Sequence, residues 1–172
     1  MNLNKYKNIF LDRDGVINSI IQRGTLISSP RSIEEFKLRN DFIMFANSIK
    51  NKKFLIFVCT NQPDIKRNLL DLTEMQKMHA IIFNYIDLTE IVFCPHDDYD
   101  NCLCRKPLPG MLDSMISKYS LKREECIFIG DSYKDILAGS NANIDTYLLK
   151  TNYNGHVKCS NKINKLTELK LA

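Results

Sequence analysis

Five short runs in this chain, Ile9-Phe10-Leu11, Phe54 to Cys59, Ile91-Val92-Phe93, Ile127-Phe128-Ile129 and Tyr147-Leu148-Leu149, are almost unbroken in apolar, β-branched or aromatic residues. A strand with one wet face alternates; a continuous run is buried on both faces, which is the condition of a parallel sheet covered on two sides. Helix-period stretches separate the runs. Phe42, Phe45, Ala46 and Ile49 share one face, as do Met75, Met78, Ile82 and Tyr85, and then Met111, Leu112, Met115, Ile116 and Tyr119. Parallel strands need crossovers, and helices of this spacing supply them. The expected architecture is α/β, a doubly wound, mainly parallel sheet with helices on both faces.

The local signals agree. Thr73 with Gln76 suits a capping box, Pro109 stands near a first helical position, and Gly139 followed by Asn141 suits the end of a short helix. At 172 residues, with no internal repeat, linker or low-complexity stretch, a single domain over 1–172 is expected. Its chemistry-bearing segments fall between about 8 and 150. The tail from Asn152, with "KINKLTELKL", reads as a short helix or a frayed end. The net charge of +4 comes from scattered lysines, so no nucleic-acid partner is expected. No apolar run approaches a membrane span and "MNLNKYKN" lacks the apolar core of a signal peptide, so the expectation is a cytoplasmic protein, monomeric or weakly dimeric, with no membrane partner. Six cysteines in a reducing compartment argue against disulfides.

Ligands of open α/β sheets bind beyond the carboxyl ends of the strands. Four polar segments fall there: Asp12-Arg13-Asp14-Gly15, Thr60-Asn61-Gln62, Arg105-Lys106-Pro107, and Gly130-Asp131-Ser132-Tyr133-Lys134-Asp135. Each alone reads blandly, as a turn, a cap or surface charge. Their convergence in this order does not. A further cluster, Cys94-Pro95-His96 and, after five residues, Cys102-Leu103-Cys104, has the composition and close spacing of a structural zinc set. His79 and His156 stand apart from it and read as ordinary helix and tail residues.

Over roughly residues 8 to 150 these segments resemble the haloacid dehalogenase superfamily. Asp12-x-Asp14-Gly15-Val16 matches its first motif, Thr60 its second, Lys106 its third and Gly130-Asp131-x-x-x-Asp135 its fourth. The resemblance implies a Mg²⁺-dependent phosphatase. Asp12 would be the nucleophile and would form an aspartyl-phosphate, with Asp14 as proton donor and then acceptor. Thr60 and Lys106 would neutralise the phosphoryl oxygens. Asp12, the Asp14 main-chain carbonyl and Asp131 would hold Mg²⁺, with Asp135 orienting Lys106 or a metal-bound water.

The segment "CPHDDYDNCLCRKPLPGM" looks like the zinc-loop branch of that superfamily, which takes in heptose-bisphosphate and histidinol phosphatases. Asn18, Asn61, Gln62, Arg67 and Arg105 fit that branch as substrate-binding residues, and Cys94, His96, Cys102 and Cys104 as its zinc ligands. Thr60 follows Asp12 by 48 positions and Lys106 follows Thr60 by 46, which leaves no room for a large cap domain. The implied substrate is a small phosphorylated metabolite, a sugar bisphosphate hydrolysed at its 7-phosphate. Arg67 and Arg105 would grip the phosphate that does not react. Histidinol phosphate is the alternative, its amine seeking Asp97, Asp98 or Asp100; a nucleic-acid 3′-phosphatase or a non-enzymatic zinc-loop interaction module comes after it. Two departures from the branch stand out. Pro63 to Asn68 lacks the glycines usual there, and Ser132 occupies the place of a basic residue, with Lys134 two positions on.

Overall fold

The computed structural model describes residues 4–171; residues 1–3 and 172, the ends of the expected domain, lie outside them. In chain order the strands are β1 (Asn8–Leu11), β2 (Ile21–Arg23), β3 (Leu26–Ser28), β4 (Leu55–Asn61), β5 (Glu90–Cys94), β6 (Cys126–Gly130), β7 (Asp145–Leu149) and β8 (Lys162–Ile163). The helices are α1 (Asn40–Ile49), α2 (Pro63–Lys66), α3 (Leu72–Tyr85), α4 (Gly110–Lys118) and α5 (Tyr133–Asn141). Six strands form one sheet in the order β5-β4-β1-β6-β7-β8, every pairing parallel, while β2 and β3 make a separate antiparallel hairpin. All five apolar runs contribute strands to the large sheet; β1 and β6 are buried throughout, while the edge strand β5 is only half-buried.

Alternation along β1 divides the core. Ile9 and Leu11 face a cluster built from α1, α3 and the tail, with Phe42, Phe45, Met75, Met78 and Ile82; Phe10 faces the other side, with Phe57, Phe128, Met111 and Leu112. Phe10 stacks on Phe57 with ring centroids 4.8 Å apart. Each fully buried Phe or Ile contributes about 1.5–3 kcal/mol, so burial on two faces is what holds the central strands in register.

That register sets up the chemistry. Leu11 lies beside both Val58 and Ile129, so the residues after them leave the sheet on the same side, with β4 running on to Asn61 beside β5. The chain order reverses between β1 and β6, which opens a crevice at that point. Asp12 N donates to the Ile129 carbonyl at 2.9 Å, and Gln62 N to that of Cys94 at 2.7 Å.

Two local expectations are corrected. Helix α3 is capped by Asp71, whose carboxylate accepts from Thr73 N at 2.8 Å, and not by Thr73 with Gln76; an Asp two positions earlier is the stronger acceptor. The tail is not frayed, and its helical part is a single 3-10 turn preceded by a strand. Lys162–Ile163 adds a sixth strand beside Leu148 and Leu149, and a 3-10 turn over Leu166–Glu168 packs on α1, where Leu166 N donates to Asp41 Oδ2 at 3.1 Å. Ile163, Leu166, Leu169 and Leu171 are buried there, which gives this polar segment its reason to order. Among the described residues no helix is long and apolar enough to cross a membrane.

Candidate active site

The four strand-end segments converge on one cavity of about 430 Å³, lined among others by Asp12, Asp14, Thr60, Asn61, Arg105, Lys106, Asp131 and Asp135. At its floor Lys106 Nζ lies 2.8 Å from Asp12 Oδ1 and 2.6 Å from Asp135 Oδ1, and donates to the Cys59 carbonyl at 2.9 Å. Burial alone would lower the Lys106 pKa, but Asp12 and Asp135 outweigh it and raise it, so the ammonium is fixed. Asn61 holds the lysine's segment in place: its Nδ2 donates to the Lys106 carbonyl at 3.0 Å and its Oδ1 accepts from Lys106 N at 3.1 Å.

Three buried carboxylates against one ammonium leave the floor negative. Burial first, then repulsion from Asp135 and Asp14, pushes Asp12 up to about 7 despite Lys106, and burial with Asp135 and Asp12 raises Asp131. One oxygen from each of Asp12, Asp131 and Asp135 lies within 4.8 Å of the others, an all-oxygen donor set that a hard divalent cation would neutralise. Asp135 is otherwise engaged. Its Oδ2 accepts from Ser132 N at 2.9 Å and Ser132 Oγ at 2.5 Å in the capping box that starts α5.

Asp14 is held differently. Arg13, fully buried, donates from Nε and Nη2 at 3.0 Å to its two oxygens; Asn18 Nδ2 adds a bond at 2.9 Å and Gln62 Nε2 one at 2.7 Å. Burial would raise this carboxyl, but the guanidinium and the hydrogen bonds from Asn18, Gln62 and Ser29 hold it below the ordinary value. Asn18 and Gln62 are fully buried, do not line the cavity, and hold Asp14.

The second cluster forms as expected. Cys94 Sγ lies 3.6 Å from Cys102 Sγ and 3.1 Å from Cys104 Sγ; His96 Nδ1 lies 3.5 and 3.3 Å from Cys94 and Cys104. A tetrahedral site with Zn–S of about 2.3 Å has edges of about 3.7 Å, so four ligand atoms at these spacings enclose a zinc-sized position. The three aspartates of the loop are all paired: Asp97 with Arg67, Asp98 with Arg105 and Lys134, and Asp100 with Lys66.

Arg67 is where the sequence expectation and the geometry part. It does not line the active-site cavity. Its Nε and Nη2 grip Asp97 at 2.6 and 2.7 Å and its Nη1 lies 3.3 Å from Asp64, because the turn after α2 directs it toward the loop. Arg105 does line the cavity, and Lys134 lines it too. Sequence reasoning passed over Arg13, Tyr153 and Asn154, and it set His156 aside although that residue stands on the cavity rim. Tyr153 Oη donates to Asp131 Oδ2 and Asn154 Nδ2 donates to the Asp131 carbonyl at 2.7 Å. Gly15 sits against this pair at φ +90°, where a Cβ would come within 2.0 Å of Asp131 Oδ2. Arg13 carried a signal, a charge between two strand-end acids; the tail residues carried none.

Comparison with known proteins places this site in context. The HAD-hydrolase-like family matches residues 103–167. A D-glycero-beta-D-manno-heptose-1,7-bisphosphate 7-phosphatase of Neisseria meningitidis (serogroup A) is 34% identical over 77% of this chain and 71% of its own length. A D-glycero-alpha-D-manno-heptose-1,7-bisphosphate 7-phosphatase of Photorhabdus laumondii is 32% identical over 89% and 87%. The crystal structure of a D,D-heptose 1,7-bisphosphate phosphatase from B. bronchiseptica, complexed with magnesium and phosphate, superposes with a TM-score of 0.81 at 25% identity over 93% of each chain.

Proposed function

This chain belongs to the haloacid-dehalogenase-like hydrolases, among the phosphatases, and on that premise we propose that it removes the 7-phosphate of a D-glycero-D-manno-heptose 1,7-bisphosphate as a single domain. The observation that carries the reading is two sets of cations in one cavity: Lys106 at the floor beside Asp12, and Arg105 with Lys134 on the wall. One set suits the reacting phosphate and the other the phosphate that stays. Arg67, which does not line that cavity, is not part of that second set.

Asp12, between Lys106 and the open cavity, attacks phosphorus in line, and the phosphoryl group passes to its carboxylate. Lys106 and the Thr60 hydroxyl meet the phosphoryl oxygens as charge shifts. Asp135 keeps Lys106 aimed, since it holds the ammonium at 2.6 Å and is itself locked by Ser132. Asp14 gives a proton to the leaving alkoxide and takes one from water in the second half-reaction. In the arrangement held by Arg13 it is the ionised acceptor of that second half; the first half requires one of the Arg13 bonds to open. Asp12 and Asp131, which lie close together, with the Asp14 carbonyl that the family pattern implies, would hold Mg²⁺, which would supply positive charge to the transferring group. Tyr153 and Asn154 keep Asp131 in place for it. Zinc held by Cys94, His96, Cys102 and Cys104 would be structural, since all four positions of the tetrahedron would be protein.

Histidinol phosphate fits less well. The loop acids its amine would seek are already paired with Arg67, Arg105, Lys134 and Lys66. Phosphate release should be assayed with both anomers of the 1,7-bisphosphate, the 7-monophosphate and histidinol phosphate, in Mg²⁺. Preference for a bisphosphate anomer is expected; a higher kcat/KM for histidinol phosphate would overturn the assignment.

A further inference from the structure

Asp98 lines a smaller pocket beside the active-site cavity and from there engages two of that cavity's cations. Its Oδ1 accepts from Arg105 Nε at 2.8 Å and lies 3.0 Å from Lys134 Nζ. Both cations line the cavity that holds Asp12 and Lys106. Arg105 is fixed independently, through Nη1 donating to the His96 carbonyl at 3.0 Å. The carboxylate is the replaceable partner: the Asp98 side chain is 56% exposed, against 10% for Arg105 and 26% for Lys134. Its neighbours differ in kind. Asp97 accepts from Asp98 N and grips Arg67 with both oxygens, and Asp100 accepts from Asp97 N while pairing with Lys66. Those two shape the loop itself. Among the described residues the Asp98 side chain bonds only Arg105 and Lys134.

Resting on the bisphosphate reading above, we infer that Asp98 is an internal competitor for the substrate's non-reacting phosphate. It keeps Arg105 and Lys134 together in the free enzyme, yields them to a bisphosphate, and takes them back to speed release of the product. A phosphate dianion offers three oxygens and can meet a guanidinium through two parallel bonds, so it displaces a single carboxylate oxygen. A hydroxyl at the same position carries no charge with which to do so. The product keeps that remote phosphate and loses only its hold at Asp12 and Lys106. A tethered carboxylate at high local concentration shortens its stay.

The test uses Asp98→Ala and Asp98→Asn in the zinc-loaded enzyme, with metal content measured to confirm that the loop is intact. The readouts are inhibition by the sugar 1-phosphate product and KM for the 1,7-bisphosphate and the 7-monophosphate. The product inhibition constant is expected to fall by about three- to tenfold in both variants, the scale of two solvent-exposed ion pairs. KM for the bisphosphate should fall more than KM for the 7-monophosphate. An unchanged or higher inhibition constant with zinc retained would mean that Asp98 supports the cations and does not compete for them, and would sink this inference alone. A wild-type enzyme with no preference for the bisphosphate over the 7-monophosphate would sink the substrate reading and this inference with it.

Discussion

The phosphoryl floor and the zinc loop lie side by side and are held by opposite means. Asp12, Lys106, Asp131 and Asp135 are buried at 8%, 3%, 5% and 0% exposure, Asp12 and Asp131 directly after the central strands β1 and β6 and Asp135 in the first turn of α5. The loop from Cys94 to Cys104 carries Tyr99 and Leu103 at 93% and 80% exposure and is tied down by a four-ligand cluster and exposed ion pairs. An exposed pair is worth at most about 1 kcal/mol, whereas a structural zinc site contributes folding energy outright. The floor is therefore part of the core, and the loop is a separately fastened wall. On the proposed reading, chemistry belongs to the first and selection of the remote phosphate to the second, so perturbations should separate them.

The largest separation is expected from Asp12→Asn. The fold should persist by circular dichroism while turnover falls by about four orders of magnitude or more, because the amide is no nucleophile. Near-normal turnover would remove the covalent mechanism. Cys102→Ser acts on the wall. About one zinc per chain should be lost by metal analysis and bisphosphate affinity should drop by about tenfold or more, with the far-ultraviolet spectrum kept.

Tyr153→Phe touches the floor from the tail. Loss of the hydroxyl on Asp131 should weaken Mg²⁺ binding by about tenfold in calorimetry, and unchanged affinity would show that the tyrosine only fills space.

The smallest effect concerns His79, which burial first, and then Arg13, hold at about 4 against an ordinary 6.5. Between these values the unfolded chain binds a proton that the folded protein refuses. Stability should therefore be full above 6.5 and fall as pH drops toward 4. In His79→Gln that part of the acid slope should flatten in denaturant titrations; an identical slope would place the loss elsewhere.

The same contrast explains what the sequence disclosed. The five strands with apolar runs were legible because their residues are locally continuous in apolar character, fully so in the buried β1 and β6 and less so at the half-buried edge strand β5. The four strand-end segments and the zinc set were legible because their spacing is short. Asp71 displaced Thr73 as a cap two residues from where the box pattern pointed. Lys162–Ile163 became a strand, and Leu166 and Leu169 became core, through long-range docking on β7 and α1 that no local period encodes. Tyr153 reaches Asp131 across 22 positions, and its neighbours in sequence give no hint of it. Arg67 sits in a segment that fits the zinc-loop branch, but which wall it faces depends on the turn after α2, a three-dimensional fact.

Mild zinc removal followed by assay in excess Mg²⁺, with the 1,7-bisphosphate and the 7-monophosphate compared, tests the division between floor and wall most directly. Turnover of the monophosphate should survive while the preference for the bisphosphate collapses toward unity. Parallel loss of both activities, or a preference that outlasts the zinc, would contradict the account.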